Sequence, residues 1–177
     1  MEFRMATYSD NSRQKQFEAW FEEYCDCILR MCFTYLADRS LAEDALQDTF
    51  VKVWRKMDGF LNKNECSSKA WIMRIAINTC KDYKRSAWFR HVDPSLTLET
   101  IPPALYNYPE ELRSIFLDVM VLPNKYKQVV LLYYYQRLSM AEVGYALKLS
   151  RSTVQNRLQK AYALMRIKQE GWEYHEK

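Results

Sequence analysis

The side chains with the most specific chemistry in this chain sit together in one short stretch, SRSTVQNRLQKAYALMR, from Ser150 to Arg166. Wound at about 100° per residue, Val154, Leu158, Ala161 and Met165 form a narrow apolar stripe that must be buried. Opposite it lie Ser152, Asn156 and Gln159, flanked by Gln155 and Lys160, with Arg151 and Arg157 nearer the boundary. Ser152 or Thr153 lies in the first turn. Amide side chains can pair twice with a base edge in the major groove, and Arg reads guanine or phosphate. The chemistry on offer is recognition of a DNA duplex. Nothing points to covalent work: the two histidines, His91 and His175, sit in what reads as a linker and a tail, and there is no glycine-rich phosphate loop and no metal-ligand cluster. Neither an enzyme, a metal site nor a cofactor is expected.

A reading helix needs a second helix to hold it. SMAEVGYALKLS, immediately upstream, supplies one, with Ser139 as its cap and a short turn after it. Gly144 lies in the middle of this helix, where glycine costs about 1 kcal/mol against alanine. A close helix–helix approach would justify it. Helix, short turn, helix is the helix-turn-helix arrangement, whose second helix enters the major groove by its N-terminus.

The rest of the chain also reads as helical. It has three glycines among 177 residues, and all five prolines fall between Pro94 and Pro123. Prolines so confined mark a connection between two all-α parts. AWFRHVDPSLTLETIPPALYNYP, Ala87 to Pro109, has no clean helical period and reads as a flexible linker. Before it, helices are expected from about Gln16 to Leu36, from Ser40 to about Gly59, and from about Ser68 to Arg85. Ser40 and Glu43 have the spacing of a capping box. In the second helix the apolar stripe is Leu46, Phe50, Val53 and Met57, with Trp54 beside it. In the third, Ile72, Ile75, Ala76, Thr79 and Tyr83 form an inner stripe, and Arg74, Asn78, Lys81 and Arg85 a second one. After the linker, helices are expected over about Glu110–Met120 and from Pro123 to about Arg137. Tyr133, Tyr134 and Tyr135 point three ways on a helix, which suits scaffold packing better than a stacking platform. The expected units are a tail (1–16), a helical domain (17–88), a linker (89–109), a helix-turn-helix domain (110–168) and a second tail (169–177).

Net charge is +4, unevenly spread. Residues 1–50 carry 5 basic and 10 acidic side chains, residues 51–90 carry 10 and 3, residues 91–120 carry 1 and 5, and residues 121–168 carry 9 and 1. Two basic blocks split by an acidic one suggest two contacts with a polyanion. No run of about 18 apolar residues is present, so no membrane insertion is expected, and the N-terminus lacks the apolar centre of a signal peptide. The reading is a soluble cytoplasmic protein whose five cysteines, odd in number and without a CxxC pair, are reduced thiols.

LPNKYKQVVLLYYYQRLSMAEVGYALKLSRSTVQNRLQKAYALMR resembles the C-terminal promoter-reading domain of bacterial sigma factors of the extracytoplasmic function group. DRSLAEDALQDTFVKVWRK and KAWIMRIAINTCKDYKR resemble that family's polymerase-binding and −10-reading helices, so the likeness runs from residue 17 to 168. Where the family has glycine, in the turn and before the short helix, this chain has Lys148 and Arg137. The usual Lys-Ser of the reading helix is Gln155-Asn156, at the place where promoter preference varies.

The resemblance implies a partner, core RNA polymerase, and a ligand, promoter DNA. The family's clamp contact falls on Asp44, Gln47 and Asp48, where acidic groups suit a protein and repel DNA. The loop DGFLNKNECSS and the helix after it would capture the melted −10 strand, with Phe60, Asn62, Lys63, Asn64 and Ser67 around a flipped base and Arg74, Asn78 and Lys81 along the backbone. A flipped base needs stacking and backbone charge. The −35 duplex would be read by Arg151, Ser152, Thr153, Gln155, Asn156, Arg157, Gln159 and Lys160. An anti-sigma factor held between the two domains is a further partner of this family. Two other readings stay open at this level: a stand-alone helix-turn-helix regulator, binding a palindrome as a dimer without polymerase, and a helical protein-interaction adaptor, which has no use for two basic blocks.

Overall fold

The computed structural model describes residues 2–62, 66–86 and 116–165, and all regular structure among them is helical. Helices α1 (Glu2–Leu36), α2 (Arg39–Leu61) and α3 (Ser68–Arg85) pack on one another. Then come α4 (Phe116–Val121), α5 (Asn124–Val130), α6 (Met140–Leu147) and α7 (Arg151–Met165). The expected linker, 89–109, and the tail from residue 169 lie outside the described residues.

α1 starts at Glu2 rather than near Gln16, and takes in the residues read as a tail. No glycine or proline precedes Gly59 to stop it. Arg13 also ties this early part to α2: its Nη2 donates to the Trp54 carbonyl at 2.7 Å, its Nε lies 3.2 Å from the Asp58 carboxylate, and its guanidinium sits 4.2 Å over the Trp54 ring.

The Ser40–Glu43 capping box does not form. Ala37 takes a left-handed φ of 61° and ends α1, which leaves Asp38 in extended backbone as the cap, accepting from Leu41 N at 2.8 Å. Asp caps as well as Ser, so the earlier residue wins. Glu43 instead pairs with Arg39 on the surface. α2 also runs past Gly59 to Leu61. A lone glycine lowers helix propensity without breaking the hydrogen-bond ladder.

The buried side of α2 is Ala42, Ala45, Thr49, Phe50, Val53 and Met57, with Leu46 and Trp54 at its margin. On α3, Met73, Ile77 and Cys80 are buried together with Ile72, Ala76 and Thr79, while Ile75 and Tyr83 are half-buried. The covered surface is wider than one stripe because α3 packs on α1 and α2 and also on α6. All five cysteines are free. Cys80 Sγ donates to Cys32 Sγ at 3.4 Å inside the core, and this bond together with burial pushes the Cys32 thiol well up.

α5 passes into a π-helical turn, Leu131–Tyr135, closed by Gln136 N donating to the Leu131 carbonyl at 3.0 Å. Tyr134 and Tyr135 are buried and Tyr133 half-buried, so the triplet is scaffold as expected.

Lys127 is the buried cation of this half. Its Nζ donates to the Met120 carbonyl, and burial, helped by the Lys84 charge, pushes its pKa down to about 7. In the unfolded chain a lysine titrates near 10.4. Between pH 7 and 10 the unfolded state therefore holds a proton that the native state has lost, and stability rises with pH, by at most about 1.4 kcal/mol per unit. Below pH 7 both states are charged and the full cost of burial is felt. Lys127→Met should stabilise the protein at pH 7 and flatten this rise. Denaturant titrations of both proteins at pH 7 and pH 9.5 measure it; an unchanged pH dependence would remove Lys127 as its source.

Candidate nucleic-acid interface

α7 buries Val154, Leu158, Ala161 and Met165, as its stripe requires. Ser152, Gln155, Asn156, Gln159 and Lys160 are exposed together with Arg151, while Thr153 and Arg157 are half-buried. Ser150 Oγ accepts from Thr153 N at 3.2 Å and opens the helix. All eight residues read from the sequence as duplex contacts thus belong to one helix, six of them on its open side.

The turn before it is built from backbone. Ser139 and Glu142 form a complete capping box at the start of α6. At its end, Lys148 N donates to the Tyr145 carbonyl at 3.4 Å and Leu149 N to the Gly144 carbonyl at 2.9 Å, the Schellman pattern. That pattern needs a left-handed residue, and Lys148 supplies it at φ 56°. Arg137 is left-handed as well, at φ 53°. Both are positions where the resembling family has glycine. Gly144 is crowded not by a neighbouring helix, as expected, but by the turn: a Cβ there would stand 2.7 Å from the Leu149 carbonyl oxygen.

On the N-terminal half, Asp44, Gln47 and Asp48 are exposed on α2. Asp48 is not free-standing, since Tyr83 Oη donates to it at 3.0 Å. Burial first, and then this bond, raise the Tyr83 phenol to about 12.

The strand-capture residues meet different fates. Lys63 and Asn64 lie outside the described residues. Asn62 is exposed at the end of α2. Phe60 stacks on Trp71 at 4.4 Å between centroids, with Trp20 at its edge. Its ring is half in the core, so one face at most is open to a base. Ser67 caps α3 by accepting from Ala70 N. Arg74 lies 4.9 Å over the Tyr145 ring, Asn78 is exposed, and Lys81 is half-buried. Burial, followed by the Arg157 and Arg85 charges, pushes the Lys81 ammonium down.

Phe60, Arg74 and Asn78 share a cleft of about 680 Å³. Sequence reasoning missed four other cations on its wall: Lys52, Arg55 and Lys56 of α2, and Lys148. The spacing 52, 55, 56 is one helix face and held the signal. It was obscured because Lys52 also serves the core, donating to Thr79 Oγ1 at 2.9 Å.

Two known families match successive parts of the chain. The sigma-70 region 2 family matches residues 13–90, and the sigma-70 region 4 family matches residues 119–165. The RNA polymerase sigma-E factor of Streptomyces avermitilis is 30% identical over 154 residues, covering 82% of this chain and 83% of its own. The ECF RNA polymerase sigma factor SigL of Mycobacterium tuberculosis is 27% identical over 154 residues, 84% of this chain and 86% of its own. In fold, the chain is similar to the sigma factor RpoE of Bartonella quintana, solved in complex with the anti-sigma factor NepR. The TM-score is 0.68 at 20% identity, over 86% of this chain and 95% of that one. With the two regions in this order over most of its length, the chain belongs to the extracytoplasmic function group of bacterial RNA polymerase sigma factors.

Proposed function

We propose that the protein works without catalysis of its own, in the cytoplasm, by docking on core RNA polymerase through Asp44, Gln47 and Asp48 and presenting two DNA-binding surfaces. The open side of α7 reads the −35 duplex, with Gln155 and Asn156 at base edges. The cleft of Phe60, Arg74 and Asn78, continued by Asn62, Lys63, Asn64, Ser67 and Lys81, takes the −10 strand as it melts. The observation that carries this reading is the division of labour in charge along the open side of α2: acids, Asp44 and Asp48, on its first half, and the cations Lys52, Arg55 and Lys56 on its second half, with further cations on α7. A DNA-binding surface has no use for Asp44 and Asp48, whereas a protein partner has. An anti-sigma factor is the expected inhibitor, by analogy with the neighbour solved bound to one.

Capture of core polymerase followed by run-off transcription tests the reading, and polymerase-independent binding to a palindrome would overturn it. Asp48→Lys should weaken polymerase binding about tenfold, or 1.4 kcal/mol. It also removes the bond from Tyr83. Tyr83→Phe removes that bond while keeping the carboxylate, and should leave polymerase affinity unchanged. Equal losses in the two variants would make Asp48 a local structural group rather than a contact.

A further inference from the structure

Part of the surface assigned to the −10 strand, at Ser67 and Arg74, is contacted in this structure by the other half of the same chain. Ser67 Oγ donates to Glu142 Oε1 at 2.5 Å, so the cap of α3 is held by the capping box of α6. Tyr145, one turn along α6, lies against the Arg74 guanidinium. Tyr145 and Lys148 also close the wall of the cleft that holds Phe60, Arg74 and Asn78. Deeper contacts fasten the two halves beside it. Gln136 Nε2 donates to the Cys27 carbonyl, and Gln128 Nε2 to Tyr35 Oη, each at 3.1 Å. At the rim, Lys84 Nζ donates to Asn124 Oδ1 at 3.0 Å.

We propose that this packing is an autoinhibitory latch, in which α6 walls in one side of the strand-binding cleft and occupies Ser67 and Arg74 while leaving the reading side of α7 open. The proposal rests on the assignment of that cleft to the −10 strand. A single strand needs a continuous groove for its backbone and open ring faces for its bases. Tyr145 and Glu142 take up the space and the partners that Arg74 and Ser67 would offer. The free protein should therefore bind duplex well and single strand only weakly.

The latch is opposed by charge. Among the described residues, Lys148 closes a cleft whose other cations are Lys52, Arg55, Lys56 and Arg74, with Asp82 as the one acid on its wall. Arg157 of α7 stands near enough to Lys81 to depress its ionisation. Bringing the halves together sets like charges against each other, which weakens the closed state and lets a polymerase that favours separated halves release it. Added salt screens that repulsion. Closure should accordingly tighten as ionic strength rises.

Two full-length variants push the latch in opposite directions without touching any residue assigned to DNA or polymerase. Gln136→Ala with Tyr145→Ala removes two of its contacts. Asn124→Asp turns the Lys84 contact into an ion pair, at a helix N-terminus where an acid is favoured. The probe is a short fluorescein-labelled DNA single strand of random sequence, read by anisotropy in the presence of excess random duplex to occupy α7. Small-angle scattering reports the separation of the halves, and circular dichroism the fold. The opened variant should enlarge and bind the strand about tenfold more tightly, Asn124→Asp should bind it several-fold more weakly, and duplex affinity should not change. An opened variant that separates without gaining strand affinity overturns the proposal, as does one whose scattering is unchanged, because these contacts would then not hold the halves. If no form binds the strand while run-off transcription proceeds, the latch alone is wrong. If transcription is absent too, the assignment of the cleft falls with it.

Discussion

Gly144→Ala should destabilise the C-terminal half, against the direction that helix propensity gives. Propensity alone favours alanine by about 1 kcal/mol. The new methyl, however, would meet the Leu149 carbonyl oxygen at 2.7 Å. That oxygen belongs to the backbone of the turn and cannot swing aside as a side chain can. Moving it strains the bonds that Lys148 N and Leu149 N make to the last carbonyls of α6. Overpacking of this kind costs about 1–3 kcal/mol, enough to reverse the propensity gain. The mirror experiment is four residues away. Lys148 pays for a left-handed φ of 56° with a side chain that disfavours it, by roughly 1–2 kcal/mol. Glycine there returns that strain but loses about 0.5–1 kcal/mol through the freer unfolded chain. Lys148→Gly should thus stabilise by about 0.5–1 kcal/mol. Thermal unfolding of the two variants beside wild type measures both. A stabilised Gly144→Ala would mean that the turn relaxes freely, and the reading helix would then not be rigidly aimed.

Where the sequence was legible, a periodic pattern met a single environment. α7 was legible to the residue, because one side packs and the other faces solvent. α3 was legible in its ends and its basic stripe but not in its full buried surface. Its second covered side is made by α6, where Ser67 meets Glu142, 75 residues away, and no local pattern encodes that. The same remoteness hid the partners of Ser67 and Arg74, which are Glu142 and Tyr145. The start of α2 was misread because two good caps stand two residues apart, and the choice of Asp38 over Ser40 is made by the left-handed Ala37. An alanine gives no sign of adopting that conformation. The early part of α1 was misread for want of its partner: Arg13 looks like a surface charge until Trp54 and Asp58 are set beside it. The turn was marked only by position, and nothing in the residue types there gives its backbone conformation. Lys148 and Arg137 were singled out where the resembling family has glycine, and both adopt the backbone that glycine would favour.

Asn156→Ala and Lys160→Ala should both weaken promoter use, and they should do so differently. Both side chains are exposed on the open side of α7. An amide that pairs twice with a base edge contributes about 1–3 kcal/mol of discrimination. Losing Asn156 should therefore relax preference at one or two −35 positions and leave the rest of the site as it was. A lysine on phosphate carries no sequence information. Losing Lys160 should lower all sequences alike and reduce the salt dependence of binding by roughly one phosphate's share. Lys160 is the better phosphate probe than Arg157, since Arg157 is half-buried and faces Lys81 when the halves are together. A change at Arg157 would mix DNA contact with domain packing. Transcription from a promoter library randomised in the −35 element, at two salt concentrations, separates the two outcomes. Should Gln155→Ala and Asn156→Ala both leave the preferred −35 sequence intact, this side of α7 does not read bases, and its amides are a solvated surface beside a helix held to DNA by its charges alone.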